Sequence, residues 1–586
     1  MGKRGLSLAE IQEVSKNNLI LLTGPPGAGK STFCHQVVLN GLAVDRPVIF
    51  VTTEHGPSEV IDLLKERGVG EPPPGTLSFV DAFANTVGMQ ASGQPDTVDA
   101  DCEDLNSISM AIDKLRQGIG KKDILLAFDS LTSPYLFNKQ EIFRFIRLCL
   151  LKFASEGNSV LALVDEGCGK EEDLGAMMSV ANGIIRMEIK EKSRIINVVK
   201  HPKVAPTKIE APMTWSPAIA LKTFDPRVMR RIWEAQWFTK QAGEALRTEV
   251  GDFVNMFWMN LALWGGMLWD PKRVPTMAYE FQKELHVRSR EMLAQAPWRI
   301  RLMMKLFIPK SFSEVKDMKK FVSYLVKSAE GMGMGIWEYL EQASRKDEHS
   351  FRVYESSSCW KLENVGARLG FHGVGALAGM LKASGKKERD WNIVETKCVG
   401  MGALYCEFKA VAGETAELKD FLESIDNSVV EKVHDRLMDQ LTGFVVQGEP
   451  LPERPRLGSR VAFNQMFLVT SLPSLVSERY RMAVRMGGAR AGKEVGERLM
   501  KAGVRQDEVI RRVVDFMEYC KVGKVHLGET VRISENCESF GLETGELTCF
   551  FTTGFLNGLF SSVKNKHVRE IRCIAAEDPY CEWEII

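Results

Sequence analysis

Residues 18–31 read Asn-Leu-Ile-Leu-Leu-Thr-Gly-Pro-Pro-Gly-Ala-Gly-Lys-Ser. Asn18 to Thr23 is a short apolar run of the kind that forms a buried strand. It leads directly into Gly24, Pro25, Pro26, Gly27, Ala28, Gly29, Lys30 and Ser31, which fit G-x-x-x-x-G-K-[ST]. The following residues, Thr32 to Leu42, read as a helix. A polyphosphate needs this order of parts. Small residues let successive backbone N–H groups turn inward, and a helix N-terminus adds positive potential. Nucleotide contacts are expected from Gly24 through Thr32, with Lys30 reaching the β- and γ-phosphates and Ser31 ligating Mg²⁺.

The pattern continues outward as alternating strands and helices. A second strand over Val48 to Thr53 ends at Glu54, a helix follows over Ser58 to Arg67, and a strand covers Leu77 to Val80. A helix over Leu105 to Gln117 precedes the run ILLAFD, which ends in Asp129. An acid closing an apolar strand is where a Mg²⁺-organising carboxylate belongs. Alternation of this kind predicts an α/β domain with a mostly parallel sheet, and ligands gather at the C-terminal ends of its strands. Gly24, Glu54 and Asp129 all fall at such ends.

The residues GPPGAGKST, IFVTTEHGPSEVIDLL, LLAFDSLT and RIINVVKHPK resemble the KaiC-like branch of the RecA-superfamily ATPases, over roughly residues 5–222. The resemblance implies ATP and Mg²⁺ as ligands and ATP hydrolysis as the activity. It gives Glu54 the task of polarising the attacking water, although His55 stands where the family often has a second glutamate. It also implies a Lys-x-Arg pair reaching the γ-phosphate of a neighbouring subunit. Lys200 matches the lysine, Pro202 occupies the arginine position, and Lys203 is the nearest substitute, a point charge rather than a fork.

The C-terminal half carries an internal repeat. Glu395-x-x-Cys398 and Glu570-x-x-Cys573 are each followed, after seven residues, by Cys406 and Cys581. Both copies end in Tyr-Cys-Glu-aromatic, and the offset is 175 residues (398 to 573, 406 to 581). Upstream, Gly373 to Leu381 matches Thr552 to Phe560, and Glu330 to Leu340 resembles Gly487 to Leu499. Such ordered correspondences indicate a duplicated domain. Each copy reads as α+β: glycine-punctuated helices, then alternating segments such as Ser350–Glu355 and Val531–Ser534, then the Glu-x-x-Cys stretch and a last strand. The expected layout is an ATPase domain over 1–222 and a helical Trp-rich connecting segment over 223–311. A first repeat over 312–412, a helical segment and linker over 413–464, and a second repeat over 465–586 follow. The Pro/Gly-rich stretch Gly448–Gly458 marks the linker.

A carboxylate and thiolates spaced in this way suit a tetrahedral Zn²⁺ site. Glu570, Cys573 and Cys581 supply three ligands of the second site, and Cys549 is the candidate fourth. In the first repeat Glu395, Cys398 and Cys406 match, but Gly370 stands where Cys549 would be. Cys359 has to reach in, or the fourth ligand is water or missing. The pattern resembles the 4-vinyl reductase domain, a small-molecule-binding module similar to the sensor domains of phenol-responsive bacterial transcription activators. That resemblance implies a hydrophobic or aromatic ligand held beside zinc, and no redox cofactor.

Composition fits these readings. The chain has 586 residues, and lysine plus arginine balance aspartate plus glutamate at 76 each. This length predicts about three to five domains, and zero formal charge argues against a nucleic-acid-coating protein. The longest apolar stretch, Met256–Trp269, is 14 residues and is interrupted by Asn260, short of the roughly 20 that span a bilayer. No secretory h-region opens the sequence, which points to a cytoplasmic setting and to thiols that serve metal rather than disulfides. Cys34, Cys102, Cys149 and Cys168 are scattered singly and read as structural thiols.

Trp233, Trp237, Trp258, Trp264, Trp269 and Trp298 crowd the connecting segment, and Pro297–Lys310 carries four basic residues and no acid. Core helices, a peripheral membrane contact and a protein partner are all open readings there. The modules together suggest a sensor in which nucleotide and small-molecule binding bias one another. A homo-oligomer fits the same reading. Two alternatives are a non-hydrolysing, nucleotide-gated interaction protein and an ATP-driven enzyme acting on a hydrophobic or tetrapyrrole substrate.

Overall fold

The computed structural model describes residues 14–42, 46–67, 75–88, 96–120, 123–190, 193–202, 205–212, 245–287, 314–384 and 389–586. The chain divides into two compact units, Met1–Thr214 and Trp215–Ile586.

The first unit is built on nine strands: β1 (Asn18–Gly24), β2 (Val48–Thr52), β3 (Leu77–Asp81), β4 (Thr97–Asp99), β5 (Leu125–Asp129), β6 (Ser159–Asp165), β7 (Gly183–Lys190), β8 (Ser193–Lys200) and β9 (Thr207–Pro212). They lie in the order β4-β3-β2-β5-β6-β1-β7-β8-β9. The seven strands from β4 to β7 run parallel, and β8 and β9 continue antiparallel. The expected α/β architecture with a mostly parallel sheet is what the chain forms. β1, β2 and β5 are buried almost throughout, which is why they read as unbroken apolar runs rather than alternating ones. The crossovers include α1 (Lys30–Leu42), α2 (Pro57–Arg67), α3 (Leu105–Ile119), α4 (Thr132–Phe137), a helix α5 with a π-type middle (Ile142–Phe145, Ile146–Leu151, Lys152–Ser155), and α6 (Glu171–Val180). Asp104 caps α3 by accepting from Asn106 N. Register aligns the strand ends: Gly24 lies level with Asp165, and Thr52 with Asp129. One edge of the sheet therefore collects the glycine loop and three acids.

The second unit contains two four-stranded antiparallel sheets of the same plan. The first copy comprises β10 (Phe253–Asn255), α7 (Met256–Met267), α8 (Val274–Val287), α9 (Val315–Gly331), β11 (Ile336–Tyr339), β12 (Glu348–Tyr354), α10 (Phe371–Ser384), β13 (Trp391–Lys397) and β14 (Cys406–Ala412). Helices α11 (Glu417–Glu423) and α12 (Asn427–Thr442) intervene. The second copy comprises β15 (Arg460–Ala462), α13 (Asn464–Val469), α14 (Ser471–Val476), α15 (Glu478–Lys501), α16 (Gln506–Tyr519), β16 (Lys524–Leu527), β17 (Thr530–Ser534), α17 (Phe550–Lys564), β18 (Val568–Arg572) and β19 (Cys581–Ile585). The sheet orders β11-β12-β14-β13 and β16-β17-β19-β18 correspond strand for strand, and both last pairs carry a bulge just before the first paired cysteine.

This arrangement corrects three sequence expectations. Glu330–Leu340 does not match Gly487–Leu499: it spans the end of α9, a turn at Gly333 with φ +71°, and β11. The counterpart of α15 is α8, which packs along α10 as α15 packs along α17. Glycines two residues apart (Gly331, Gly333, Gly335) belong to a turn in one place, and glycines four apart (Gly488, Gly492, Gly496) to a helix seam in the other. In the seam, a Cβ on Gly558 would stand 1.9 Å from Ala489 O, so α17 touches the α15 backbone. Gly379 makes the same approach to Lys283 O, at 2.2 Å.

Nor is 223–311 simply a connector. Every residue of α7 is buried, and Trp258 packs edge-on against Phe551 and Phe555. A helix apolar on all sides belongs in a core, and the first repeat's fold begins at β10 rather than at residue 312. Trp233, Trp237, Trp298, Pro297–Lys310 and Lys203 lie outside the described residues. Among the described residues, no helix is long and apolar enough to cross a membrane.

The stretch Gly448–Gly458 is irregular but docked. Arg454 is buried and donates to the carbonyls of Gly333 (2.6 Å), Glu355, Gly458 and Arg460. Arg247 occupies the matching place in the other copy, donating to Lys521 O and Val522 O. Strands β10 and β15 pair antiparallel through Val254 and Val461. Asn255 N reaches Cys520 O, and Ala462 N reaches Met332 O, both at 2.9 Å. Each repeat's leading segment thus completes the other repeat, an exchange with approximate twofold symmetry.

Candidate nucleotide site and candidate metal centres

The loop between β1 and α1 turns through Gly24, Gly27 and Gly29 at φ +152°, +81° and +87°. At Gly24 a side chain would collide with Met187 O, 2.2 Å from the Cβ position. Lys30 opens α1 and is 6% exposed, with Nζ 2.9 Å from Gly24 O, 2.9 Å from Pro25 O and 2.6 Å from Asp165 Oδ1. Ser31 Oγ donates to Asp129 Oδ1 at 3.3 Å. Burial, and next the Glu54 charge, push the Asp129 carboxyl up to about 7.

Glu54 is fixed from the neighbouring strand. Ser130 Oγ donates to Glu54 Oε1 at 2.9 Å, and Ser130 N donates to Thr53 Oγ1 at 2.9 Å. The structure therefore brings Lys30, Ser31, Asp129 and Glu54 to one edge. His55 instead turns outward to Glu59, with Nδ1 3.0 Å from Oε1. Lys200 is not part of this cluster. Its register partner is Ile184, level with Leu21 on β1, about 10 Å short of Gly24 along the strand. Its ammonium donates to Ala181 O at 2.7 Å.

Two residues of this edge escaped the sequence reading. Asp165 ends the buried run SVLALV as Asp129 ends ILLAF, so the rule that found one acid was available for the other. Arg194 lies over the loop, and a Cβ on Gly29 would stand 2.8 Å from its Nη2. Only the β7–β8 register brings it there, and no local pattern announces it.

In the second unit the two predicted ligand sets are assembled. Cys359, Glu395, Cys398 and Cys406, and likewise Cys549, Glu570, Cys573 and Cys581, place their donor atoms within 4.8 Å of one another, all buried. Sulfurs at 2.3 Å from a tetrahedral Zn²⁺ stand about 3.8 Å apart. Here the separations are 3.6 Å (Cys549–Cys573), 3.4 Å (Cys549–Cys581) and 4.0 Å (Cys573–Cys581) in the second set. In the first they are 3.9 Å for both Cys359–Cys398 and Cys398–Cys406. Glu395 Oε1 and Glu570 Oε1 are buried without a hydrogen-bond partner. Burial, and then the adjacent Cys398 and Cys573, raise both carboxyls well above their ordinary range. Burial likewise pushes the Cys398 and Cys573 thiols up to about 12. Against burial, hydrogen bonds from the neighbouring thiols bring Cys359 and Cys581 down to about 5, so each cluster joins one thiolate to groups that favour protons, and a divalent cation inverts that preference. The donor set fits zinc. All twelve cysteines are free thiols.

The fourth thiolate comes from different positions in the two sets. Cys359 lies five residues past Tyr354, which pairs with Ile336; Ser539 lies five past Ser534, which pairs with Lys524. Both open the same turn, donating N–H to Ser356 O and Asn536 O. Gly370 directly precedes α10, as Cys549 directly precedes α17. The second set therefore has serine where the first has its cysteine, and the first has glycine where the second has its own. Ser539 Oγ still lies 3.1 Å from Cys581 Sγ.

Comparison with known proteins bears on the first unit. The family model described as "ATPase: KaiC" matches residues 8–213. The UPF0273 protein PH0284 of Pyrococcus horikoshii is 30% identical over 186 residues, covering 30% of this chain and 72% of its own. The UPF0273 protein PF1931 of Pyrococcus furiosus is 31% identical over the same coverage. Among solved structures, the KaiC-like protein PH0186 of Pyrococcus horikoshii aligns at 20% identity over 34% of this chain and 85% of its own, with a TM-score of 0.27.

Proposed function

Through residues 8–213 the chain belongs to the KaiC ATPase family, and from that premise we propose that it is an ATP-hydrolysing sensor whose C-terminal repeats bind metal and a hydrophobic small molecule. The observation that carries the nucleotide half is the convergence of Lys30, Ser31, Asp129 and Glu54 on one sheet edge. The backbone N–H groups from Gly27 to Thr32 would cradle the phosphates, and Lys30 would meet the β- and γ-oxygens. Ser31 and Asp129 would hold Mg²⁺, which when bound offsets charge on the phosphate oxygens. Glu54, oriented by Ser130, would align the attacking water and take up its proton. Lys200, remote from its own loop, suits action on a neighbouring copy.

The sensing half rests on two supports. One is the pair of Cys₃Glu clusters with zinc-like sulfur spacing. The other is the resemblance of the repeats to the 4-vinyl reductase domain, which implies an apolar or aromatic ligand beside the metal. In this reading zinc ties the last hairpin to the helix or loop before it. A ligand that favours one arrangement of the repeats would bias nucleotide turnover, and nucleotide would bias ligand affinity by the same factor.

The test is steady-state phosphate release with Mg-ATP, beside Lys30→Ala, with zinc quantified on the same sample. Turnover abolished by Lys30→Ala, with about two zinc per chain, is the expected result. Tight ATP binding without turnover would replace the hydrolytic reading with a nucleotide-gated interaction protein. Absence of zinc after growth in zinc-replete medium would remove the metal half.

A further inference from the structure

The Lys30 ammonium has no donor to spare. A lysine carries three N–H donors, and Gly24 O, Pro25 O and Asp165 Oδ1 stand within 2.9 Å of Nζ. The two carbonyls belong to the loop itself. Asp165 comes from β6, and it is the only charged member of the three. It is also held from behind: Oδ2 accepts from Thr132 Oγ1 at 3.1 Å, and its backbone N donates to the same hydroxyl at 2.9 Å. Next to it, Glu166 N donates to Gly24 O at 3.0 Å. The end of β6 is thus laced to the glycine loop on one side and to the start of α4 on the other.

We propose that Asp165 is a latch on the P-loop lysine, a positioning residue that holds Lys30 until a polyphosphate takes it over. The β- and γ-phosphoryl oxygens offer the same negative charge as Asp165, and one ammonium cannot serve both fully. Nucleotide di- and triphosphates therefore bind only by exchanging the carboxylate for phosphate, and their apparent affinity is lowered by the fraction of protein that is latched. A monophosphate stops short of Lys30 and escapes that penalty. The latch deepens the nucleotide reading above, since it rests on Lys30 as the phosphate-binding lysine.

The experiment is a double-mutant cycle on the full chain, reading equilibrium affinity for AMP, Mg-ADP and a non-hydrolysable Mg-ATP analogue. Asp165→Asn is expected to tighten ADP and the ATP analogue at least about fivefold and to leave AMP within about twofold. In the Lys30→Ala background the same substitution is expected to change nothing. Asp165→Ser, which keeps a hydroxyl beside Thr132, repeats the measurement if the asparagine variant does not fold. Weaker binding in Asp165→Asn, equal tightening of all three ligands, or an effect that survives Lys30→Ala overturns the latch. If Lys30→Ala alone leaves the ATP analogue at wild-type affinity, the underlying assignment of Lys30 fails. If Lys30→Ala weakens binding and Asp165→Asn does not tighten it, only the latch fails.

Discussion

Ser130 Oγ donates to Glu54 Oε1 at 2.9 Å across the ends of two neighbouring strands. A general base works only when it points at its proton, and one hydrogen bond from the adjacent strand fixes this carboxylate's direction. Ser130→Ala is expected to lower kcat for ATP about tenfold while leaving nucleotide affinity unchanged. Glu54→Gln is expected to cost at least about a hundredfold. Steady-state turnover paired with equilibrium binding checks both, and unchanged kcat in Glu54→Gln would remove the residue from the chemistry.

Asp129 carries a pH prediction. Burial, and then Glu54, hold its carboxyl near 7 in the nucleotide-free protein, above its unfolded value. The folded state then binds more protons than the unfolded one between about pH 4 and 7, so this group's contribution to stability falls as pH rises through that window, by up to about 1.4 kcal/mol per unit. Asp129→Asn is expected to raise the melting temperature of the apo protein at pH 8. Magnesium needs the ionised form, so the Mg²⁺ concentration for half-maximal turnover should rise as pH falls from 8 to 6. A magnesium requirement flat across that range would contradict the assignment.

Two zinc per chain are expected, with Cys398→Ser and Cys573→Ser each removing one. The exchange of ligand positions gives a sharper test. Cys549→Gly alone should lose the second metal, and Cys549→Gly with Ser539→Cys should recover it, because Ser539 occupies the position that Cys359 fills in the first repeat. Cobalt substitution reads the outcome through thiolate charge-transfer bands whose intensity follows the number of sulfurs. Recovery of metal without recovery of those bands would show that the new cysteine does not ligate.

Arg454 is buried and bonds four carbonyls, two of them in the first repeat, at Gly333 and Glu355. Arg454→Ala would strand these acceptors, at a cost of about 3 kcal/mol. The loss should appear as faster amide exchange around residues 333–355, some hundred residues away in sequence. Exchange accelerated only around residue 454 would mean that the docking contributes little.

The nucleotide edge was legible because its signals are local. A strand, a glycine loop and a helix follow one another in 25 residues, and Asp129 closes an apolar run. Asp165 obeys the same rule but belongs to no named motif. Arg194 could not be read at all, since a strand register sets its place. In the second unit the two Cys₃Glu clusters were legible from the Glu-x-x-Cys repeat, and the place of Cys359 in one of them from the absence of a cysteine at Gly370. The helical half of each repeat is less legible. Glycines two apart in Glu330–Leu340 serve a left-handed turn, whereas glycines four apart in α15 serve a backbone-to-backbone seam, so shared glycine content without shared spacing does not align the two. The burial of α7 was legible, because a helix apolar on all sides belongs in a core.

The traded leading segments make the C-terminal unit the equivalent of a strand-swapped homodimer written on a single chain. Translation delivers its halves in strict one-to-one ratio, and they meet at an effective concentration that separate subunits rarely reach. Identical subunits must accept every mutation twice, whereas fused halves accept it once. That freedom accounts for a fourth thiolate carried on a loop in one half and at a helix start in the other. It also leaves room for the two halves to differ in what they hold.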